Sequence, residues 1–185
     1  VLKGSGAAGG IGGVLGGSGY IKNCYSSATV IDQIANNTGK AGGIIGRVNG
    51  NASGSSIENC YSSGDISAIG GGNVGSIVGK IDKGKLTVKN CVAWNTMLIS
   101  TDKTKIGRIV GGTTNAIYEN CYAYDGMILK AGETTFTVSD EASPTGSSFQ
   151  GVAKSANELK STVISWDSSL WKEGSNGYPV FKWSK

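Results

Sequence analysis

The stretch that decides the fold is GGIIGRVNGNASGSSIENCYSSG, residues 42–64. It joins a Gly-x-aliphatic-aliphatic-Gly pentad to an aliphatic-charged-Asn-Cys tetrad, and both recur along the chain. The pentad reads GGVLG at 12–16, GGIIG at 42–46, GSIVG at 75–79 and GRIVG at 107–111, with starts 30, 33 and 32 residues apart. The tetrad reads IKNC at 21–24, IENC at 57–60, VKNC at 88–91 and YENC at 118–121, spaced 36, 31 and 30. Strict alternation of the two motifs, with short β-type runs and Gly-rich joints, marks a β-solenoid in which each repeat makes one coil. Three short strands are expected per repeat: the GGIIG segment, the SIENCYSS segment with a bend at Asn, and a third such as DISAI at 65–69.

The repeat changes the meaning of the composition. Gly supplies 31 of 185 residues, and Gly, Ser and Pro together supply 56. Without a period such a content reads as low-complexity disorder; here the glycines have one. Collagen is excluded because Gly does not fall at every third position and only two prolines occur. Helical repeats are excluded because few windows escape Gly and Ser, both poor helix formers. Hydrophobic residues at 38% suffice for one core, whereas charged residues reach only 16%, against about 25% in ordinary domains.

Net charge is +4, and no run of five or six like charges occurs, so neither nucleic acid nor a membrane surface is indicated as a partner. Lys80, Lys83, Lys85, Lys89, Lys103, Lys105 and Arg108 outweigh Asp82 and Asp102 between residues 80 and 108, a bias read as a solvated loop face. No apolar run is long enough for a transmembrane helix. The first residues hold no signal peptide and already lie within the Gly-rich pattern, so a domain of a longer polypeptide is expected.

Stacking turns each motif position into a row whose members lie roughly 4.8 Å apart. Ile21, Ile57, Val88 and Tyr118 form an inward row; Lys22, Glu58, Lys89 and Glu119 follow it, alternating in sign so that each charge meets opposite neighbours. Asn23, Asn59, Asn90 and Asn120 are expected to build an amide ladder at a sharp bend, where Asn tolerates left-handed backbone. Cys24, Cys60, Cys91 and Cys121 share one register. Parallel side chains fit disulfide torsions poorly and cannot surround a zinc ion, so these cysteines read as packed thiols. Alternation then turns Tyr25, Tyr61, Val92 and Tyr122 outward, Ser26, Ser62, Ala93 and Ala123 inward, and Trp94 and Tyr124 outward again. Tyr25, Tyr61, Trp94, Tyr122 and Tyr124 thus share an exterior face, read either as cross-strand packing or as an aromatic strip for sugar rings or a partner protein.

The repeats end near residue 130. ETTFTV at 133–138 looks like one more strand, and SANELKST at 155–162 like a short helix with Ser155 as N-cap and Glu158 completing a capping box. Trp166, Trp171, Tyr178, Phe181 and Trp183 read as the apolar plug over the open end of the solenoid, or less simply as a glycan platform. The expected fold is all-β, a parallel β-helix of four to five coils over residues 1–130, with a final strand and a helix-containing cap over 131–185.

The alternation of GG-aliphatic-aliphatic-G with I-x-N-C-Y-x-S-G resembles the GLUG-motif repeats of bacterial, Bacteroidetes-type surface proteins, including non-catalytic regions of immunoglobulin A peptidases. WDSSLW and GYPVFKW in the last twenty residues are similar to the segment closing such arrays. The third copy departs, with Val92 in place of Tyr and no Gly after Trp94. The resemblance implies an exported, right-handed β-helix at the cell surface, adhesive or carrying other domains.

The absence of His removes Ser-His-Asp and Cys-His nucleophiles, the HExxH zinc site and imidazole proton transfer. GGIGG at 9–13 is followed by strand-like sequence, which speaks against a phosphate loop, and no EF-hand pattern occurs. No cofactor is expected. A polysaccharide lyase or glycoside hydrolase working through carboxylates is the surviving enzyme class, with Asp32 and Asp65 as residues that different coils could bring together. Ice binding would need rows of Thr, and Thr29, Thr87, Thr96 and Thr113 share no register. The leading expectation is a non-enzymatic extracellular module that binds a polysaccharide or host glycoprotein, or spaces other domains of its polypeptide.

Overall fold

A computed structural model of the chain describes residues 1–184 except 5, 37, 51–53, 113–114 and 139–149. The chain winds through about four coils; each of the first three passes through five short strands, and the fourth, among the described residues, through four, meeting sheet III only through a Val78–Val110 bridge. Sheet I holds Leu2–Gly4, Val30–Asp32, Ile66–Ala68, Met97–Ser100 and Ile128–Ala131; sheet II holds Ala8–Gly9, Lys40–Gly42, Asn73–Gly75 and Ile106–Gly107. Sheet III stacks Gly12–Gly17, Ile45–Gly50 and Val78–Lys83, sheet IV stacks Tyr20–Lys22, Ser55–Glu58, Leu86–Lys89 and Ala116–Glu119, and sheet V stacks Tyr25–Ser26, Tyr61–Ser62, Val92–Ala93, Tyr122–Tyr124 and Val152–Lys154. All pairings between coils are parallel.

Five strands per coil, where three were expected, follow from two corners inside the motifs. The GGIIG segment breaks at Gly43–Ile44 between sheets II and III, and SIENCYSS breaks at Asn59–Cys60 between sheets IV and V. At the first corner the backbones of successive coils nearly touch: a Cβ on Gly42 would stand 2.7 Å from the Gly79 backbone N, and one on Gly43 would stand 2.3 Å from the Ser76 carbonyl oxygen. Only Gly fits such an approach.

The register also corrects the first copy of the pentad. Ala8 and Gly9 pair with Ala41 and Gly42, whereas Gly12 pairs with Ile45 and Val14 with Arg47. The first-coil equivalent of GGIIG is therefore GGIGG at 9–13, three residues before the GGVLG string. Gly12 occupies the position of Ile45 and Val78 in the coil that forms the outer edge of every sheet, where the core is shallowest. Leu2, Ile11, Val14 and Tyr20 of that coil are exposed.

Inside the coils one apolar column joins Ile44, Ile45, Val48, Ile57, Ile77, Val78, Ile81, Val88 and Ile109, and a second joins Val30, Ile66, Val74, Leu98 and Leu129. Ile21, Ile57, Val88 and Tyr118 lie in register as an inward row. Asn23, Asn59, Asn90 and Asn120 adopt φ values of 54°, 52°, 49° and 52°. Each amide from Asn59 onward donates to the Oδ1 of the Asn one coil earlier, at 3.0, 3.0 and 3.1 Å. Lys22 meets Glu58 at 3.8 Å and Lys89 meets Glu119 at 2.8 Å. The four cysteines are free thiols; Cys60, Cys91 and Cys121 are buried and donate to backbone carbonyls such as Glu58, Lys89 and Val88.

The end of the solenoid is closed by a different segment from the one expected. Thr134–Phe136 pairs antiparallel with Ile128–Ala131. The Arg108 guanidinium donates from Nε to Gln150 O at 2.9 Å and from Nη2 to Gly151 O at 2.8 Å, drawing that segment onto the last coil. Helix α1, Ala156–Trp166, begins at Ser155 with the capping box formed and runs four residues beyond the expected stretch.

Candidate functional site

Tyr25, Tyr61, Trp94, Tyr122 and Tyr124 do share the outer face of sheet V, with Tyr61 in register with Tyr25 and Val92, and Val92 with Tyr122. They do not form an open strip. Helix α1 and the antiparallel hairpin of Trp171–Glu173 and Pro179–Phe181 fold back along this face. Tyr61 is 1% exposed and Trp94 4%. Trp171 packs against both Tyr25 and Tyr61, with ring centroids 6.0 and 5.9 Å apart, and Tyr25 stacks on Tyr61 at 5.2 Å. The Tyr61 hydroxyl donates to the Pro179 carbonyl, and burial raises its pKa. The aromatic C-terminal segment thus covers the flank of sheet V instead of plugging the end, and takes the outward aromatic row out of water. Trp183 stays 67% exposed, stacked on Phe181 at 4.5 Å.

Where the hairpin turn meets α1 the cover is incomplete, leaving a cleft of about 300 Å³. Its aromatic wall is Trp94, Tyr124 and Tyr178, with Trp94 and Tyr178 tilted at 60° and centroids 4.8 Å apart. Asn157, Asn176, Thr96 and Lys160 also line it, and Asn176 Oδ1 accepts the Tyr178 N–H at 3.2 Å. Thr96 donates to Asp65 Oδ1 at 2.5 Å, and Lys160 is held by Glu173 at 2.7 Å. Partial burial, with the nearby Tyr124 and Asp65, raises the Tyr178 hydroxyl above its ordinary pKa of 10. The cleft thus sets three rings beside amide and hydroxyl side chains. Of the five sequence-derived aromatics, Trp94 and Tyr124 reach this cleft; Tyr25, Tyr61 and Tyr122 belong to the covered interface, Tyr122 also carrying Lys154 Nζ 3.9 Å above its ring.

Sequence reasoning named Tyr178 among the C-terminal aromatics, as a plug or a glycan platform, without placing it beside Trp94, and it missed Asn157 and Asn176; all three belong to a segment with no register relation to the coils. It also missed Tyr20, whose ring is 78% exposed on sheet IV beside Lys22, Glu58 and Thr87 in a wider concavity of about 590 Å³. The inward position of Ile21 signals it, since alternation turns Tyr20 outward. That concavity has one ring and a ladder of already paired charges, so the cleft is the better-furnished site.

Most carboxylates serve the scaffold. Asp32 is fully buried and accepts the backbone N–H groups of Ile34 and Lys40 at 2.9 and 3.3 Å, while Asp65 faces the cleft through Thr96. Asp32, shut off from solvent with its carboxylate engaged by backbone N–H groups, is not placed to reach a substrate alongside Asp65. Glu58 and Glu119 sit in the charge ladder, Asp82 among three cations, Asp102 and Asp167 in turns, Glu158 in the capping box and Glu173 on Lys160. Among the described residues no group of His, Cys, Asp or Glu could hold a metal ion, and no helix is long and apolar enough to cross a membrane.

The fold and its rows define a β-solenoid repeat module with a C-terminal segment clasped to its flank. Residues 37–67, the coil that opens with GGIIG and carries IENC, match the family model of the GLUG motif. The chain is 50% identical over 99% of its length, with a TM-score of 0.87, to the crystal structure of a "putative immunoglobulin A1 protease" from Bacteroides ovatus, and spans 55% of that chain. No curated protein matches it.

Proposed function

We propose that the chain is a non-catalytic module of a bacterial surface protein that binds a polysaccharide or host glycoprotein through the cleft beside Trp94. The observation that carries this reading is the convergence of Trp94, Tyr124 and Tyr178 with Asn157 and Asn176 in one partly enclosed cleft. The non-catalytic reading is supported by the sequence, which has no His, and by thiols and carboxylates held in backbone hydrogen bonds and ion pairs. A protease activity in the relative from Bacteroides ovatus would on this reading lie outside the part of that protein matched here. The relative's source supports a surface location, where the rigid stack also spaces neighbouring domains.

A glycan array probed with the domain tests this. Binding to a defined glycan that Tyr124→Ala weakens about tenfold, with thermal stability retained, is the expected result. An array without a hit, or release of oligosaccharides from polysaccharides on incubation, would count against it.

A further inference from the structure

We propose a second, separate site, for the carboxylate or sulfate group of an acidic glycan, on the outer corner of sheets II and III. Arg47 and Lys80 lie in register there on adjacent coils, and Lys40 reaches the same point from sheet II. Asp82 is the extra residue where the pairing shifts between Ile81 and Lys83, and such bulges re-aim a side chain. Its carboxylate lies 3.3 Å from Lys80 Nζ, 3.8 Å from Arg47 Nη1 and 3.9 Å from Lys40 Nζ. Three cations therefore gather around one carboxylate, on a surface otherwise poor in charge. A depression of about 380 Å³ opens beside them, floored by Gly6 and Ala7 and walled by Thr38, Lys40 and Arg47. Arg47 Nε, shut off from water, has no hydrogen-bond acceptor. An anion entering the depression supplies the missing negative charge, and a small turn of the guanidinium gives it the planar fork suited to carboxylate or sulfate. No aromatic ring lies in the depression to stack a base, and three clustered cations do not make the long basic track that a nucleic-acid backbone needs.

Affinity electrophoresis of the intact domain through gels containing polygalacturonate, chondroitin sulfate or neutral dextran tests the site. Retardation by an acidic polymer and not by dextran is expected, weakening with salt. Arg47→Gln and Lys80→Ala should each lower affinity about tenfold, Asp82→Asn should raise it severalfold, and Tyr124→Ala should leave it unchanged, which separates this site from the cleft. Thermal melts verify that each variant is folded. No retardation by any acidic polymer, equal retardation of the Arg47→Gln/Lys80→Ala double variant, or equal binding of a single-stranded oligonucleotide would overturn the proposal.

Discussion

Asn90 donates its side-chain amide to Asn59 Oδ1 at 3.0 Å, one coil earlier, and both residues hold left-handed backbone, at φ 49° and 52°. One residue type thus turns the corner between sheets IV and V and ties neighbouring coils together. The same side chain that tolerates the turn supplies both the donor and the acceptor of the ladder.

Replacing Asn59 separates the two contributions. Asn59→Ala forces a Cβ-bearing residue without a local hydrogen bond into the left-handed region and removes two ladder bonds, for a loss of about 2–3 kcal/mol. Asn59→Gly keeps the turn and loses only the ladder, about 1–2 kcal/mol. Urea denaturation of both variants is the measurement; equal losses would mean that the backbone conformation carries no cost.

The pentad corner makes a sharper demand. A Cβ at Gly43 would stand 1.9 Å from Ser62 Oγ and 2.3 Å from Ser76 O, while one at Gly16 meets only Asn49 O, at 3.9 Å. Gly43→Val should prevent folding at ordinary temperature, and Gly16→Ala should shift stability by less than about 0.5 kcal/mol. A cooperative melt of Gly43→Val near that of the native chain would contradict the coil geometry.

The cysteine row should divide by chemistry. Half-buried Cys24 is lowered to about 7 by the adjoining Cys60 thiol, whereas Cys60 is raised by that same bond and by burial, Cys91 by burial, and Cys121 by burial to about 12. At pH 7.5 a thiol reagent should modify one cysteine of the folded chain quickly, with a rate that rises through pH 7, and all four in denaturant. Fast modification of two or more in the folded chain would show that the row is open.

The capping box gives a pH signature. The Ser155 hydroxyl and N–H hold the Glu158 carboxyl below its ordinary value of 4.5. A depressed folded value stabilises fully above the unfolded value, and this contribution is lost as pH falls through the folded one. Ser155→Ala should therefore destabilise the folded chain at pH 7, and the gap to the native chain should narrow below about pH 4.5. A gap that stays constant down to pH 3 would place the effect elsewhere.

The rows were legible in the sequence because identity at a fixed period places Asn, Cys and the alternating charges in register before any coordinate is known. The first pentad misled: GGVLG matches the string better than GGIGG, yet in register Gly12 stands where Ile45 stands one coil on, at the edge of the stack where fewer side chains pack. Alternation also told which way Tyr61 and Trp94 point but not what covers them. A residue facing out from its own sheet is exposed only when no other segment claims it, and the aromatics of 166–183 carry no period that would reveal their docking place.

Helix α1 and the C-terminal hairpin cover the aromatic face of sheet V except for the cleft beside Trp94, the place proposed to bind a glycan. Isothermal titration of the tightest array glycan against the native chain, Tyr124→Ala/Asn157→Ala and Tyr25→Phe tests it most directly. Saturable binding to the native chain and to Tyr25→Phe with equal affinity, and a loss of tenfold or more in the double variant, is the expected result. Undiminished binding by the folded double variant would contradict it.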